Sequence, residues 1–151
     1  MQKIIPNLWF NGNAKEAVDY YLSVFKGSAL ISTTYYPNEG LEDFQKQFAG
    51  KVLTIEFEIF GQRFVAINAG DEFKFTEALS FAVFCKDQAE IDYYWEKLSA
   101  VPQSEQCGWC KDKYGLSWQI VPENMEELMK NPNAFSIMMK QKKIVIAEYT
   151  N

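Results

Sequence analysis

The residues of this chain best equipped for chemistry lie close together, between Gln106 and Pro122, in the run Q-C-G-W-C-K-D-K-Y-G-L-S-W-Q-I-V-P. Cys107 and Cys110 have the CxxC spacing of redox pairs and of half a zinc site. Thioredoxin-type chemistry needs that pair at a helix N-terminus following a strand, and zinc needs a second pair or histidines. Here the surrounding sequence reads as strand, the third cysteine (Cys85) stands alone, and the chain has no histidine. The absence of histidine removes the usual general base at neutral pH, the Ser-His and Cys-His nucleophile pairs and the commonest transition-metal ligand. An enzyme built from this sequence must rely on carboxylates, Tyr, Lys or Cys.

Gln119 is the other residue in this run that can act on a ligand. Lys111 to Gly115 supplies turn chemistry between two short strands, the second running from Leu116 to Val121. Strand alternation places Leu116, Trp118 and Ile120 on one face and Ser117, Gln119 and Val121 on the other. Gln119 then either belongs to a solvated sheet face or offers a donor and an acceptor on a pocket floor. We expect Gln119 and Trp109 to face a cavity and Trp118 to pack against a helix.

The elements that would position these residues can be read in order. Lys3 to Phe10 is a strand interrupted by Pro6, and Asn13 and Glu16 suit the cap of a helix over residues 14 to 26. Ser28 to Tyr36 reads as a strand, and residues 37 to 50 as a loop with one helical turn near Asp43 to Phe48. A hairpin follows, with arms over 51 to 60 and 63 to 68 around Gly61-Gln62. Residues 69 to 77 carry Phe73 and Phe75 in a polar loop, either plugging a core gap or forming a rim over a pocket.

From Ala78 the pattern restarts. Leu79 to Cys85 is a strand, and Asp87 with Glu90 caps a helix that ends at Leu98. Val18-Asp19-Tyr20-Tyr21-Leu22 recurs as Ile91-Asp92-Tyr93-Tyr94-Trp95, 73 positions later, and the same offset lays residues 4 to 10 over 77 to 83. With strands over 101 to 105, at the Cys107 arm and from Leu116, each half becomes strand, helix and three strands, a tandem βαβββ duplication. The tail holds two short helices, 123 to 130 and 134 to 140, and a β-branched run from Ile144 to Ile146.

Composition bounds the function. The chain has 151 residues, 48% hydrophobic and 16% aromatic, which suits one folded domain rather than disorder. A net charge of -5 disfavours nucleic acid, because phosphate binding needs clustered Lys and Arg. No apolar run reaches membrane-spanning length and no signal-peptide pattern is present, so a cytoplasmic location without membrane contact is expected.

Tandem βαβββ modules resemble the vicinal oxygen chelate superfamily, the glyoxalase and bleomycin-resistance fold, of class α+β. The chain is similar to its PhnB-like branch, often labelled 3-demethylubiquinone-9 3-methyltransferase, through P-N-L-W-F-N-G-N-A-K-E-A-V-D-Y-Y, N-A-G-D-E-F-K-F, D-Y-Y-W-E-K-L and the Gln106–Pro122 run. The resemblance implies one domain over 1–151, with module one about 1–70, module two about 76–122 and an extension over 123–151, the two sheets curling around a shared cavity. Metal-using relatives converge four side chains, typically His, Glu, His and Glu. Matched here, those positions fall near Pro6, at Asn68 or Ala66, at Ser80 or Leu79, and at Gln119. Neutral groups of this kind bind a divalent ion weakly, so neither metal nor cofactor is expected. No strand leads into a Gly-rich turn and helix that would hold a nucleotide-type methyl donor.

The resemblance implies a small-molecule-binding protein whose pocket draws on Trp9, Phe10, Asn68, Phe73, Phe75, Ser80, Trp109, Trp118 and Gln119. Two alternatives stay open. One is a glyoxalase-type lyase or isomerase using Glu56, Glu58, Glu72 or Tyr114; the other is a drug-binding protein of the bleomycin-resistance type. The superfamily also implies a homodimer, and the apolar stripe of Phe135, Met138 and Met139 is compatible with one.

Overall fold

Alternating β-branched and aromatic residues build the first sheet, and a single helix covers one side of it. The computed structural model describes residues 2–150, which divide into two compact units, one up to Lys74 and one from Phe75. Unit 1 contains β1 (Asn7–Asn11), α1 (Ala14–Val24), β2 (Ser28–Tyr35), β3 (Val52–Ile59) and β4 (Gln62–Ala69). Its strand order is β1-β4-β3-β2, with β1 parallel to β4 and the other neighbours antiparallel. A 3-10 helix, Asp43–Phe48, lies in the β2–β3 loop.

Helix α1 packs on β2, β3 and β4. It buries Ala14, Ala17, Val18, Tyr21 and Val24 against Leu8, Phe10, Ile55, Phe57, Phe64 and Ala66. These strand residues share one face by alternation, and Tyr21, Phe57 and Phe64 stack through it with centroids 6.4 and 5.4 Å apart. The expected Asn13 cap does not form, since its side chain makes no capping hydrogen bond. The amide of Ala14 donates instead to Oδ1 of Asn68 on β4, at 3.1 Å. The sheet thus caps the helix in place of the preceding residue. The β3–β4 turn sits one residue earlier than the sequence suggests, on Phe60 and Gly61, both with positive φ.

Unit 2 repeats the plan with fewer strands. It has β5 (Ser80–Cys85), α2 (Gln88–Leu98), β6 (Trp109–Lys111) and β7 (Ser117–Pro122), in the order β5-β7-β6. The parallel β5–β7 pair mirrors β1–β4, and Asp87 caps α2 by accepting from the Glu90 amide at 2.9 Å. The strand expected over 101 to 105 is a 3-10 turn, Pro102–Ser104. Proline lacks the donor a strand ladder needs, so among the described residues the second module is βαββ rather than βαβββ. The fold class is α+β, with two small sheets.

The tail folds onto unit 2 through α3 (Met125–Leu128), α4 (Ala134–Lys140) and a 3-10 turn, Ile146–Tyr149, which begins at the end of the β-branched run. The amides of Cys107 and Gly108 donate to the carbonyls of Gln141 and Lys142, both at 2.8 Å. Ile144 is fully buried there. Gly108 has φ +87, and a Cβ on it would meet Ile120 O and Ile144 Cγ1, each at 3.1 Å. Only glycine suits that position. Among the described residues, no helix is long and apolar enough to cross a membrane.

Asp112 closes the turn that leads into β7. Fully buried, its Oδ1 accepts from the amides of Tyr114 (2.8 Å) and Leu116 (3.1 Å), and its Oδ2 accepts from Trp118 Nε1 at 2.9 Å. Replacing it with alanine strands two buried donors and a part-buried one, so Asp112→Ala is expected to lower unfolding stability by about 3 kcal/mol, with Asp112→Asn in between. Urea titration measures this, and a loss under about 1 kcal/mol would contradict the role assigned to the carboxylate.

Candidate functional site

In unit 1 the face of the sheet turned away from α1 carries Trp9 on β1 and Ile67 and Ala69 on β4. Trp9 pairs in register with Ile67. At one end of this face, Tyr36 and the Asp43–Phe48 turn stand beside the strands, and together they line an open cavity of about 200 Å³. Its wall is Trp9, Tyr36, Phe44, Gln45, Phe48, Leu53, Ile67, Ala69, Gly70 and Glu72.

The aromatic groups of the wall are held in place by their own polar atoms. Trp9 Nε1 donates to Gly70 O at 2.9 Å, and the Tyr36 hydroxyl donates to Asn68 O at 2.7 Å. Tyr36 stacks on Phe48 with centroids 5.2 Å apart. Burial, with a smaller contribution from the Glu72 charge, raises the Tyr36 pKa above its ordinary 10.0, which keeps the hydroxyl protonated as a donor. The Glu72 carboxylate folds back over Gly70, where a Cβ would come within 2.8 Å of Oε2. Phe73 does not line the cavity. Exposed itself, it packs edge-on against Trp9 at 4.8 Å.

Two residues grouped with this pocket by sequence turn the other way. Phe10 is buried on the α1 side, and so is Asn68, whose Oδ1 holds the Ala14 amide and whose Nδ2 donates to Val52 O at 3.0 Å. The register explains the misplacement. Trp9 lies opposite Ile67, and Ala82, its counterpart under the 73-residue repeat, lies opposite Gln119. The module-one equivalent of Gln119 is therefore Ile67, and a slip of one residue puts Asn68 on the opposite face.

In unit 2, alternation puts Trp118 and Ile120 on the buried side with Cys110, facing α2, and leaves Gln119 half-buried on the other face. Trp109 pairs in register with Gln119 there, and Gln119 Nε2 donates to Ser80 Oγ at 2.9 Å. Ser117, between Ser80 and Lys111 in register, has a buried hydroxyl with no protein partner. Lys111 forms an ion pair with Glu77. Of the residues named by sequence, this face gathers Ser80, Trp109 and Gln119. Trp118 belongs to the core side, and Phe75 is half-buried at the start of the unit.

Residues 2–121 match the model of the 3-demethylubiquinone-9 3-methyltransferase family. The chain belongs to that family. It is similar to a solved structure from Bacillus cereus described as a putative 3-demethylubiquinone-9 3-methyltransferase, PhnB protein. The two are 34% identical, with a TM-score of 0.63, over 80% of this chain and 99% of that one. A Pseudomonas aeruginosa protein shares the fold at 18% identity and a TM-score of 0.60, over 81% of this chain and 98% of its own. No curated protein matches. The PhnB-like family is thus established for this chain, together with the α+β fold of two small sheets.

The four positions that the sequence matched to metal ligands do not fit an ion in this PhnB-like chain. Pro6 offers no side-chain ligand, both ends of the Asn68 amide are committed to the backbone, and Ser80 and Gln119 bond each other. Among the described residues, no three of His, Cys, Asp and Glu converge as a donor set. The CxxC spacing resolves into two separate jobs. Cys107 forms the turn that docks the tail, while Cys110 is buried. Burial pushes the Cys110 thiol up to about 12, helped by Asp112 and Glu105, and burial does the same at Cys85, with Glu90 adding.

Both buried thiols stay neutral through ordinary pH. Their contribution to stability is complete below the unfolded value of 9.0 and drains away as pH rises toward about 12. Alkylation of native protein at about pH 8 is expected to modify Cys107 first, with Cys85 and Cys110 reacting only after unfolding. Mass spectrometry of the labelled peptides reads this, and equal labelling of all three thiols in the native state would overturn it.

Proposed function

We propose that this PhnB-like protein binds a small, partly apolar molecule in the cavity of unit 1 and does so without a metal ion. The observation that carries this reading is the wall itself, where Trp9 and Tyr36 have satisfied their polar atoms internally and so contribute apolar ring surface rather than hydrogen-bonding groups. A volume of about 200 Å³ is smaller than the roughly 300–1,000 Å³ of drug-sized sites. That favours a compact ligand, or one end of a larger one, over a whole nucleotide-sized methyl donor. The family's methyltransferase label is therefore not part of the proposal.

An acid–base lyase or isomerase is the less favoured reading. Of the stand-in bases considered, Glu72 alone lines the cavity, and Glu56 is paired with Arg63.

The expected outcome of a thermal-shift screen in EDTA is stabilisation by compact aromatic or branched apolar molecules. Ile67→Trp, which fills the cavity from β4, should fold and abolish the shift. Hits that bind Ile67→Trp as well as the parent would remove the cavity from consideration, and a requirement for added metal would end the metal-free reading.

A homodimer is proposed on separate grounds. Phe135 and Met139 stand exposed on α4, an apolar stripe that a second subunit would cover. Light scattering is expected to give twice the chain mass, and a monomer mass at every concentration would exclude the dimer.

A further inference from the structure

The cavity of unit 1 has a charge character that its apolar walls do not by themselves require. Glu72 is the one charged side chain in the wall, and no Lys or Arg joins it. Its carboxylate lies against Gly70, the residue whose carbonyl holds the Trp9 indole. Trp9, Tyr36 and Phe48 place ring surfaces around the same space. A ring face is the negative side of an aromatic quadrupole, so any face these rings leave open acts with the same sign as the carboxylate. Two side-chain donors of the wall are already spent, Trp9 Nε1 on Gly70 O and the Tyr36 hydroxyl on Asn68 O, which leaves the neutral Gln45 amide as a donor beside the Glu72 carboxylate.

From this arrangement we infer that the cavity recognises a cation: a small molecule carrying an ammonium or methylated ammonium head, seated on the Trp9, Tyr36 and Phe48 rings with Glu72 as its counter-charge. The inference rests on the small-molecule reading of the same cavity and adds the charge of the ligand. Size agrees with it. About 200 Å³ admits a trimethylammonium group and a short tail. Burial is the larger cause of the raised Tyr36 pKa, and the Glu72 charge adds to it in the same direction. Gly70 keeps the counter-charge close, because a side chain there would occupy the space of the Glu72 oxygens.

Choline and its neutral, nearly isosteric analogue 3,3-dimethylbutan-1-ol separate charge recognition from apolar filling. Binding is followed on the whole chain through the Trp9 indole N–H resonance, assigned by its loss in Trp9→Phe. Choline is expected to bind about tenfold more tightly than the alcohol, an advantage in the range of a partly desolvated cation–π contact with a nearby carboxylate. Glu72→Gln, at an exposed position, should remove most of that advantage while leaving the alcohol unchanged, and Gly70→Ala should weaken choline alone by displacing the carboxylate. Equal binding of the two probes, or a choline affinity unmoved in Glu72→Gln, overturns the cationic assignment and leaves the cavity a neutral binding site. If neither probe shifts the Trp9 signal, and the thermal-shift screen is also blank, the small-molecule reading falls together with the inference.

Discussion

Each sheet in this protein has one helix to lie against it, and one helix can cover only one face. That constraint governs the rest. In unit 1 every strand must send alternate side chains toward α1, so Leu8, Phe10, Phe57, Phe64 and Ala66 are consumed by the core. The remaining positions, Trp9 and Ile67 among them, are left over on the second face. In unit 2 the division is the same, with Trp118 and Ile120 spent on α2 and Gln119 left over. A candidate site is available on the second face because the core does not need those residues.

Two buried polar side chains hold this division in place. Asn68 ties the first turn of α1 to β4 and to the Val52 carbonyl of β3. Asp112 ties the turn before β7 to the indole of Trp118. Each sits on the buried side, where an unmet donor costs more than it would in water. Their work is to keep register, and register decides which residues reach the open face. Asn68 also orders the cavity indirectly, since its backbone carbonyl anchors Tyr36.

The two units have diverged on the face their helices leave open. The matched positions are Trp9 and Ile67 in unit 1 and Ala82 and Gln119 in unit 2. One face is aromatic and apolar with a carboxylate at its margin; the other is a small polar patch of Ser80, Ser117 and Gln119. The same backbone plan therefore supports two unlike chemistries, chosen by the side chains at a few alternate positions.

Period-two and period-3.6 patterns are local properties, and they were legible from the chain alone: both main helices, most strands, the internal repeat and the family. The lack of histidine also narrowed the chemistry before any fold was known. Sequence could likewise see that Trp118 and Gln119 must oppose each other, because that follows from one strand. It could not see that Asn68 faces α1, because that depends on which residue of β4 lies beside Trp9, a pairing between segments nearly sixty residues apart. For the same reason the helix cap was assigned to neighbouring Asn13 when a distant strand supplies it. Tyr36 and Phe48 carried no motif, Glu72 stood out only as a candidate base, and Asp112 looked like an ordinary turn residue. Their roles arise when loops from separate parts of the chain meet, and only the tertiary structure sets those distances.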